Sequence, residues 1–230
     1  MALKDELDTW VGTVFRGRWD VRDGRQVPGD TSQLALQNQA IKLDGTVLYA
    51  DLADSTAMVD YYIPQFAAEV YKTFLYCSAR IVAAAGGTVT AYDGDRIMAV
   101  FIGSGRDTIA VKAAMRIKWA VDKIVMPKLA MAYPNVSFQL KHVVGIDRSE
   151  LFVAKTGARG ANDLVWVGRA ANYAAKLSAL PPTYTYITAD VFRALTTEAK
   201  VFNGKSMWES VRWNTFDDST IYRSGWRWTL

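Results

Sequence analysis

The stretch Thr46-Val-Leu-Tyr-Ala-Asp-Leu-Ala-Asp-Ser-Thr56 organises the rest of this chain. It begins with β-branched and aromatic residues typical of a covered strand, and Asp54, Ser55 and Thr56 at its end are good helix N-caps. Between them stands Asp51, a carboxylate at the end of an apolar strand. Burying an unpaired charge costs free energy, so this carboxylate requires a partner. Two interpretations follow: Asp51 holds a metal ion beside an anion-binding helix start, or it only caps the helix.

A second stretch, Thr88-Val-Thr-Ala-Tyr-Asp-Gly-Asp-Arg-Ile-Met-Ala-Val-Phe101, favours the metal. It predicts two short strands about an Asp93-Gly94 turn, since Asp-Gly between β-type runs is a strong hairpin signal. Asp95 comes just past that turn, where it can meet the end of a neighbouring strand. Two carboxylates that share two divalent cations form the working part of many phosphoryl-transfer sites. Asp51 and Asp95 are therefore the predicted metal ligands.

Composition narrows the class of protein. The 230 residues suffice for one large domain, and half of them are apolar. The net charge of +4 suits a triphosphate substrate but is too small to predict nucleic-acid binding. The single cysteine, Cys77, excludes an internal disulfide and favours a reducing compartment. Because there is neither a secretion signal nor an apolar run of 18 residues, we expect a cytoplasmic protein without a membrane span.

The order of periodic segments predicts an α+β fold, in which a mostly antiparallel sheet is covered by helices. His142, the only histidine, falls in a predicted strand, where a core residue is favoured over a general base. Residues 1–40 are interpreted as an N-terminal extension packed on the core, 41–200 as the core, and 201–230 as a Trp-rich segment that completes the same domain. The predicted helices are 63–85, 108–126 (ended by Pro127), 168–180 and 189–195, and the predicted strands include 136–146, 150–155, 164–167, 184–187 and strands in the tail that cover one sheet edge.

Three motifs resemble those of class III nucleotidyl cyclases in order and spacing. They are Tyr-Ala-Asp-Leu-Ala-Asp-Ser-Thr (49–56), Tyr-Asp-Gly-Asp-Arg (92–96) and Gly-Arg-Ala-Ala-Asn-Tyr-Ala-Ala-Lys-Leu (168–177). The segment Gly24-Arg-Gln-Val-Pro28, the lead-in Leu43-Asp-Gly-Thr and the short chain narrow the resemblance to the pyrimidine cyclases of Pycsar antiphage systems. It implies a palm-like, ferredoxin-like core, conversion of UTP to 3′,5′-cyclic UMP and pyrophosphate, and a separate effector protein that reads the cyclic nucleotide.

The resemblance also implies residue roles. Asp51 and Asp95 would bridge two divalent cations, Mn²⁺ or Mg²⁺, and the backbone carbonyl of Leu52 would complete one coordination shell. The family's ribose-orienting Asn is Asn172 here, and its transition-state Arg is Lys176, which keeps the charge but loses the fork geometry. The family joins these two groups across a homodimer, with active sites at the subunit interface. The implied cradle for the β- and γ-phosphates is formed by Ala53, Asp54, Ser55 and Thr56.

Base recognition is where the chain departs from the purine cyclases. Their base-reading Lys corresponds to Ala91 and their second reader to Val165, so adenine would leave its polar edge unpaired. Tyr49 lies on the same strand face as Asp51, and its phenol can meet a base. We therefore expect a pyrimidine substrate, with UTP favoured. The alternatives are a cytidylate cyclase, an adenylate or guanylate cyclase, and an inactive nucleotide-binding module with this fold.

Overall fold

The computed structural model of the protein describes residues 2–158, 161–216 and 218–230. Helices and strands alternate along these ranges. The helices are α1 (Leu3–Arg16), α2 (Ser55–Tyr61), α3 (Pro64–Ala84), α4 (Arg106–Ala120), α5 (Met126–Ala132), α6 (Arg169–Leu177) and α7 (Ala189–Ala194). The strands are β1 (Asp20–Asp23), β2 (Gln39–Leu52), β3 (Thr88–Asp93), β4 (Arg96–Ile102), β5 (His142–Ala158), β6 (Ala161–Val167), β7 (Thr185–Thr188), β8 (Val201–Phe202), β9 (Lys205–Ser206), β10 (Glu209–Trp213) and β11 (Ser219–Ser224).

Strand β2 is at the centre of a nine-stranded sheet. It pairs antiparallel with β4 along one edge and with β5 along the other, and the order across the sheet is β10-β11-β7-β5-β2-β4-β3. β1 adds to β2 and β6 adds to β5, while β8 and β9 form a separate ribbon. Among the described strands, only the β1–β2 and β5–β7 pairs are parallel. The predicted α+β class with a mostly antiparallel sheet is confirmed.

The two faces of β2 contribute to different cores, because side chains alternate along a strand. Leu48, Ala50 and Leu52 belong to the larger core, which α3 and α4 cover. Tyr49 packs against the smaller core, which α6 covers. By the same alternation, Asp51 lies on the α6 face of the sheet together with Tyr49.

Helix α6 approaches β5 very closely at Gly145. A Cβ atom at this position would stand 2.1 Å from the carbonyl oxygen of Ala174 and 2.6 Å from the backbone nitrogen of Ser178. Gly145 is also the β5 partner of Tyr49 on β2. The missing side chain at Gly145 therefore brings the helix that carries Asn172 against the strand beside Tyr49.

Pro127 does not end the second long helix, so this part of the prediction was wrong. α4 runs into a π-helical turn, Val121–Val125, and the chain continues through Pro127 as α5. The proline falls in the first turn of α5, where its missing N–H costs least. Ile124 was expected to face the core but is 40% exposed, because the wider turn rotates it off the buried face. Ile63, 62% exposed, lies just before the start of α3 rather than within it.

A single strand, β5, replaces the two strands predicted at 136–146 and 150–155. The polar segment between them keeps its backbone pairing with β2. Asp147 within this segment is fully buried, and it accepts hydrogen bonds from Thr188 Oγ1 (2.6 Å) and Arg169 Nε (3.1 Å). Buried polar side chains that have hydrogen-bond partners do not interrupt the backbone pairing of a strand. The pattern of apolar residues in the sequence does not reveal those partners, so it predicted two strands.

His142 is a core residue, as favoured from the sequence. It is 4% exposed, and its ring centre lies 5.6 Å from that of Phe74. Burial, with a smaller effect from the charge of Lys118, lowers the pKa of His142 to about 3. The imidazole is therefore neutral at pH 7 and does not gain a proton there.

The two ends of the chain relate to the sheet differently. β1 pairs with β2, whereas α1 buries none of its residues. β10 and β11 extend the sheet beyond β7, so the Trp-rich segment covers that edge as expected, with Trp208 and Trp213 buried. The three-part division of the chain stays a prediction. None of the described helices is long and apolar enough to cross a membrane.

Candidate active site

Asp51 lies at the end of β2, with Arg96 of β4 on one side and Val143 of β5 on the other. Burial is the main cause that raises the pKa of the Asp51 carboxyl to about 6, and the charge of Asp95 is the second. The two carboxylates are therefore close enough to repel each other in a half-buried setting. A divalent cation between them would remove this penalty, because it favours the ionised form of both groups.

Asp95 occupies the hairpin turn itself. The turn is Gly94–Asp95, since Asp93 pairs with Arg96, and the predicted Asp93-Gly94 turn was one residue too early. Gly94 has a φ of +60°, a left-handed value that suits the first position of a tight hairpin turn. The shift leaves Asp95 at the tip of the β3–β4 hairpin, beside the end of β2.

Arg96 is a member of the site that the sequence analysis missed. Its Nε and Nη2 donate to Asp93 Oδ2 at 3.1 and 2.5 Å, and its guanidinium carbon lies 5.6 Å from the centre of the Tyr49 ring. The Arg96 charge lowers the pKa of Asp51, but burial and Asp95 together outweigh it. The position of Arg96 in the sequence could have predicted this role, because the residue that follows Asp95 in the hairpin pairs with the end of the neighbouring strand β2.

The turn between β2 and α2 has backbone groups free for an anion. Asp54 adopts a left-handed φ of +61° and makes no side-chain cap, although the sequence suggested one. The Ala53 N–H already donates to the Lys141 carbonyl oxygen at 3.0 Å. A phosphate cradle would therefore begin at Asp54 and use the first N–H groups of α2, from Ser55 and Thr56. Lys141 Nζ, 3.3 Å from Asp54 Oδ2, adds a cation at this turn.

The donor set fits divalent cations that also bind a substrate. Within the described ranges, no group of three or more His, Cys, Asp or Glu residues is arranged to hold a metal. Asp51 and Asp95 supply carboxylate oxygens, and the backbone of Leu52 follows directly. Mg²⁺ and Mn²⁺ accept oxygen ligands, and Mg²⁺ sites commonly use one or two carboxylates with substrate phosphates and water. The fit is that of a site completed by a nucleotide, not of a closed structural site.

Asn172 and Lys176 lie one turn apart on α6, and both are exposed. The opposite face of the helix, with Ala170 and Ala174, is buried against the sheet. Lys176 Nζ stands 4.7 Å from the centre of the Phe216 ring. No described hydrogen bond or ion pair joins Asn172 or Lys176 to the carboxylates of the β2 end. These two side chains point away from their own sheet.

The three base-recognition positions have different surroundings. Tyr49 is half-buried, and its hydroxyl donates to Met98 Sδ at 3.1 Å. Ala91 on β3 packs against the same small core. Val165 is 39% exposed on β6, where it pairs with Ala154, so Ala91 and Val165 are not on neighbouring strands. Within one chain, the structure brings Tyr49 and Ala91 together near the hairpin and leaves Val165 apart from them.

Comparison with known proteins shows which family has this sequence and fold. No protein-family model matches the chain. It is 66% identical to the uridylate cyclase of Xanthomonas perforans and 48% identical to that of Burkholderia cepacia, in each case over the full length of both chains. Its fold is similar to that of the guanylyl cyclase Cya2, with a TM-score of 0.67 at 18% identity over 80% of this chain and 91% of the other. The palm-like core is thus confirmed, and the chain belongs to the uridylate cyclase family, within the class III nucleotidyl cyclases.

Proposed function

We propose that this protein is a uridylate cyclase, which converts UTP to 3′,5′-cyclic UMP and pyrophosphate. The ribose 3′-oxygen would attack the α-phosphorus of its own nucleotide. The bond from that phosphorus to the β-phosphate oxygen would break, and the 3′-hydroxyl proton would leave to solvent. The observation that carries the proposal is the position of Asp51 beside Asp95, where burial and, to a smaller extent, the charge of Asp95 raise the pKa of the Asp51 carboxyl to about 6.

Each group of the site has a task in this reaction. Two divalent cations held by Asp51, Asp95 and the Leu52 carbonyl would neutralise phosphate charge and acidify the ribose hydroxyl. The N–H groups of Ser55 and Thr56 would hold the terminal phosphates, which positions the leaving group. Bound cations would favour the ionised form of their carboxylate ligands.

Asn172 and Lys176 complete the site from a second copy of the chain. Asn172 would orient the ribose, and Lys176 would stabilise the charge that develops on the α-phosphoryl oxygens. Support comes from their exposure on α6 and from the buried alanines that turn them away from their own sheet. A homodimer with two composite sites follows, and a monomer would lack half of each site.

The surroundings of Tyr49 support a pyrimidine substrate. Its hydroxyl bond to Met98 and the Arg96 guanidinium over its face hold the ring in place. A fixed aromatic ring beside the metal ligands narrows the space for a base, which favours one ring over two. Ala91 and Val165 offer no polar atom to a purine edge. UTP is the proposed substrate, with CTP the alternative.

Purified protein with Mn²⁺ and each of the four nucleoside triphosphates tests the proposal, with products identified by mass spectrometry. We expect cyclic UMP, and we expect it to vanish in Asp51→Ala. Asp60→Asn, a carboxyl change at an exposed residue near the end of α2 and away from the metal pair, is the matched control and should retain product. Cyclic AMP or GMP would keep the reaction and overturn the base assignment. No product from any triphosphate, together with nucleotide binding, would indicate an inactive module.

The cellular role is a further part of this proposal. Cyclic UMP would act as a second messenger in antiphage defence, read by a separate effector protein in the cytoplasm. Its support is the family membership and the single cysteine, Cys77, which forms no disulfide. Phage challenge of cells that carry the chain together with the gene of the proposed effector protein, in wild-type and Asp51→Ala form, tests it. Equal phage survival in the two would refute the role without touching the catalytic assignment.

A further inference from the structure

Helix α1 has an apolar face with no partner in the part of the chain that the structure describes. None of its residues is buried. Leu3, Leu7, Val11 and Phe15 are 69%, 53%, 48% and 85% exposed, and Trp10 beside them is 40% exposed. Leu3, Leu7, Val11 and Phe15 are spaced by four residues and lie along one stripe of the helix surface, and Trp10 widens that stripe on one side. This "α1 stripe" is an unusual amount of aliphatic and aromatic surface to leave in water.

The helix is attached to its own chain at one end. Asn38 Nδ2 donates to the carbonyl oxygens of Val14 (2.7 Å) and Gly17 (2.9 Å) and so holds its C-terminal end. An isolated helix of 14 residues is marginal in water, and Gly12 lowers its propensity further. Stabilisation of α1 therefore has to come from a surface that covers the stripe.

We infer that α1 pairs antiparallel with α1 of a second copy of this chain. The α1 stripe is symmetric about residue 9. In an antiparallel pair, Leu7 of one copy faces Val11 of the other, and Leu3 faces Phe15. Each contact occurs twice, as a two-fold axis requires of a surface that is complementary to itself.

The charges of α1 fit the same arrangement. Its first two turns carry three carboxylates, from Asp5, Glu6 and Asp8, against one cation, Lys4, whereas Arg16 closes the last turn. An antiparallel pair places the acidic end of each copy beside the basic end of the other. The acidic polar face also argues against an anionic lipid surface, because helices that bind such surfaces carry Lys and Arg there.

The area is sufficient for a specific contact. The five stripe side chains expose on the order of 600 Å² per copy, so pairing would cover about 1,200 Å² in total, the lower end for a stable interface. The pairing involves α1 alone and does not depend on the catalytic activity of the chain. Asp51→Asn should therefore leave the pairing unchanged.

Disulfide cross-linking tests the pairing directly. Leu7→Cys and Val11→Cys would each be made in full-length chains that also carry Cys77→Ser, so that no other thiol is present. Under mild oxidation, a mixture of the two should give at least tenfold more covalent dimer than either variant alone. Cross-linking by each variant alone, with no gain on mixing, would indicate parallel pairing and overturn the inference, as would no cross-link at all.

Two changes on opposite faces of α1 separate pairing from a loss of folding. Phe15→Glu, added to both cysteine variants, should reduce the cross-link at least tenfold, and Thr9→Glu on the polar face should leave it unchanged. Equal cross-linking by both would overturn the inference. So would cosedimentation of the wild-type protein with vesicles of phosphatidylserine that Phe15→Glu abolishes, because that would show that lipid covers the stripe.

Discussion

The β2 end and helix α6 carry the two halves of the candidate site, and they differ in how their polar groups are satisfied. At the β2 end, Asp51 is half-buried and electrostatically strained by Asp95. On α6, Asn172 and Lys176 are exposed, and Lys176 Nζ lies near the ring of Phe216. The first half has the chemistry of a cation site, and the second has side chains that are free to meet another surface.

This difference supports the proposed division of the site between two copies of the chain. Burial and the neighbouring charge of Asp95 disfavour the ionised form of Asp51, and a bound cation would remove this penalty. Exposed side chains on a rigid helix have no such preparation and act only where another surface meets them. Close packing of α6 at Gly145 sets the position of Asn172 and Lys176 relative to the sheet. Each half can therefore be broken separately.

The largest expected effect is on the strained half. Asp51→Asn should lower cyclase activity by about 10³-fold or more, the scale for removing a metal ligand. The same change should raise the Tm of the metal-free protein at pH 7.5 by about 2–4 °C, because it removes a charge that folding disfavours. Steady-state assays and calorimetry measure the two quantities. A fall in Tm would contradict the account in which the buried charge of Asp51 opposes folding, and Asp60→Asn, at an exposed residue of α2, serves as the control.

Mixing two inactive chains tests the division itself. Asp51→Asn and Asn172→Ala should each be inactive alone. In a random mixture, half of the dimers are mixed and each of these has one intact site, so about a quarter of wild-type activity should return. Activity is measured after the chains have exchanged at low concentration. No recovery in confirmed mixed dimers would show that all the residues act within one chain.

Two substitutions of Lys176 on α6 separate the effect of its charge from the effect of its geometry. Lys176→Ala should reduce kcat by about 10²-fold with little change in KM, since the charge acts on the transition state. Lys176→Arg should stay within about tenfold of wild type, because the charge is kept while the geometry changes. A rise in KM alone for the alanine variant would assign Lys176 to ground-state binding instead.

A smaller effect is expected on base choice. Tyr49→Ala should raise the ratio of ATP to UTP turnover by about tenfold, within the 1–3 kcal/mol typical of a reshaped pocket. Tyr49→Phe should change that ratio little, because the Tyr49 hydroxyl donates its hydrogen bond to Met98 Sδ and is therefore not free to donate to a base. Competition assays with both triphosphates measure it. A loss of UTP turnover in Tyr49→Phe would show that the hydroxyl reads the base.

The smallest change concerns pH. The pKa of Asp51 is raised to about 6 in the folded chain, so its proton is held more tightly folded than unfolded. This group therefore favours folding at low pH, and its contribution is lost as pH rises through 6. Mn²⁺ must displace the same proton, so its affinity should fall by up to about tenfold per pH unit below 6. Calorimetric titration at pH 5, 6 and 7 checks this, and an affinity without pH dependence would contradict it.

Most of the order of elements, and the placement of Asp95 near Asp51, could be predicted from the sequence. Leu48 to Asp51 alternate with a strand period, Asp-Gly marks a hairpin, and helices α3 and α4 follow from apolar spacing. These signals are local, since they depend on neighbours within a few residues. Asp51 could be recognised as a candidate ligand because a carboxylate at the end of an apolar strand needs a partner for its charge.

The remaining features depended on contacts between residues distant in the chain. The single strand β5 requires Thr188 and Arg169 to satisfy Asp147, and no pattern within residues 142–158 reveals that. The raised pKa of Asp51, and Arg96 over Tyr49, arise only when β2 lies beside the β3–β4 hairpin. Local sequence sets backbone preference and side-chain periodicity, whereas burial and electrostatic coupling exist only once separate strands are brought together.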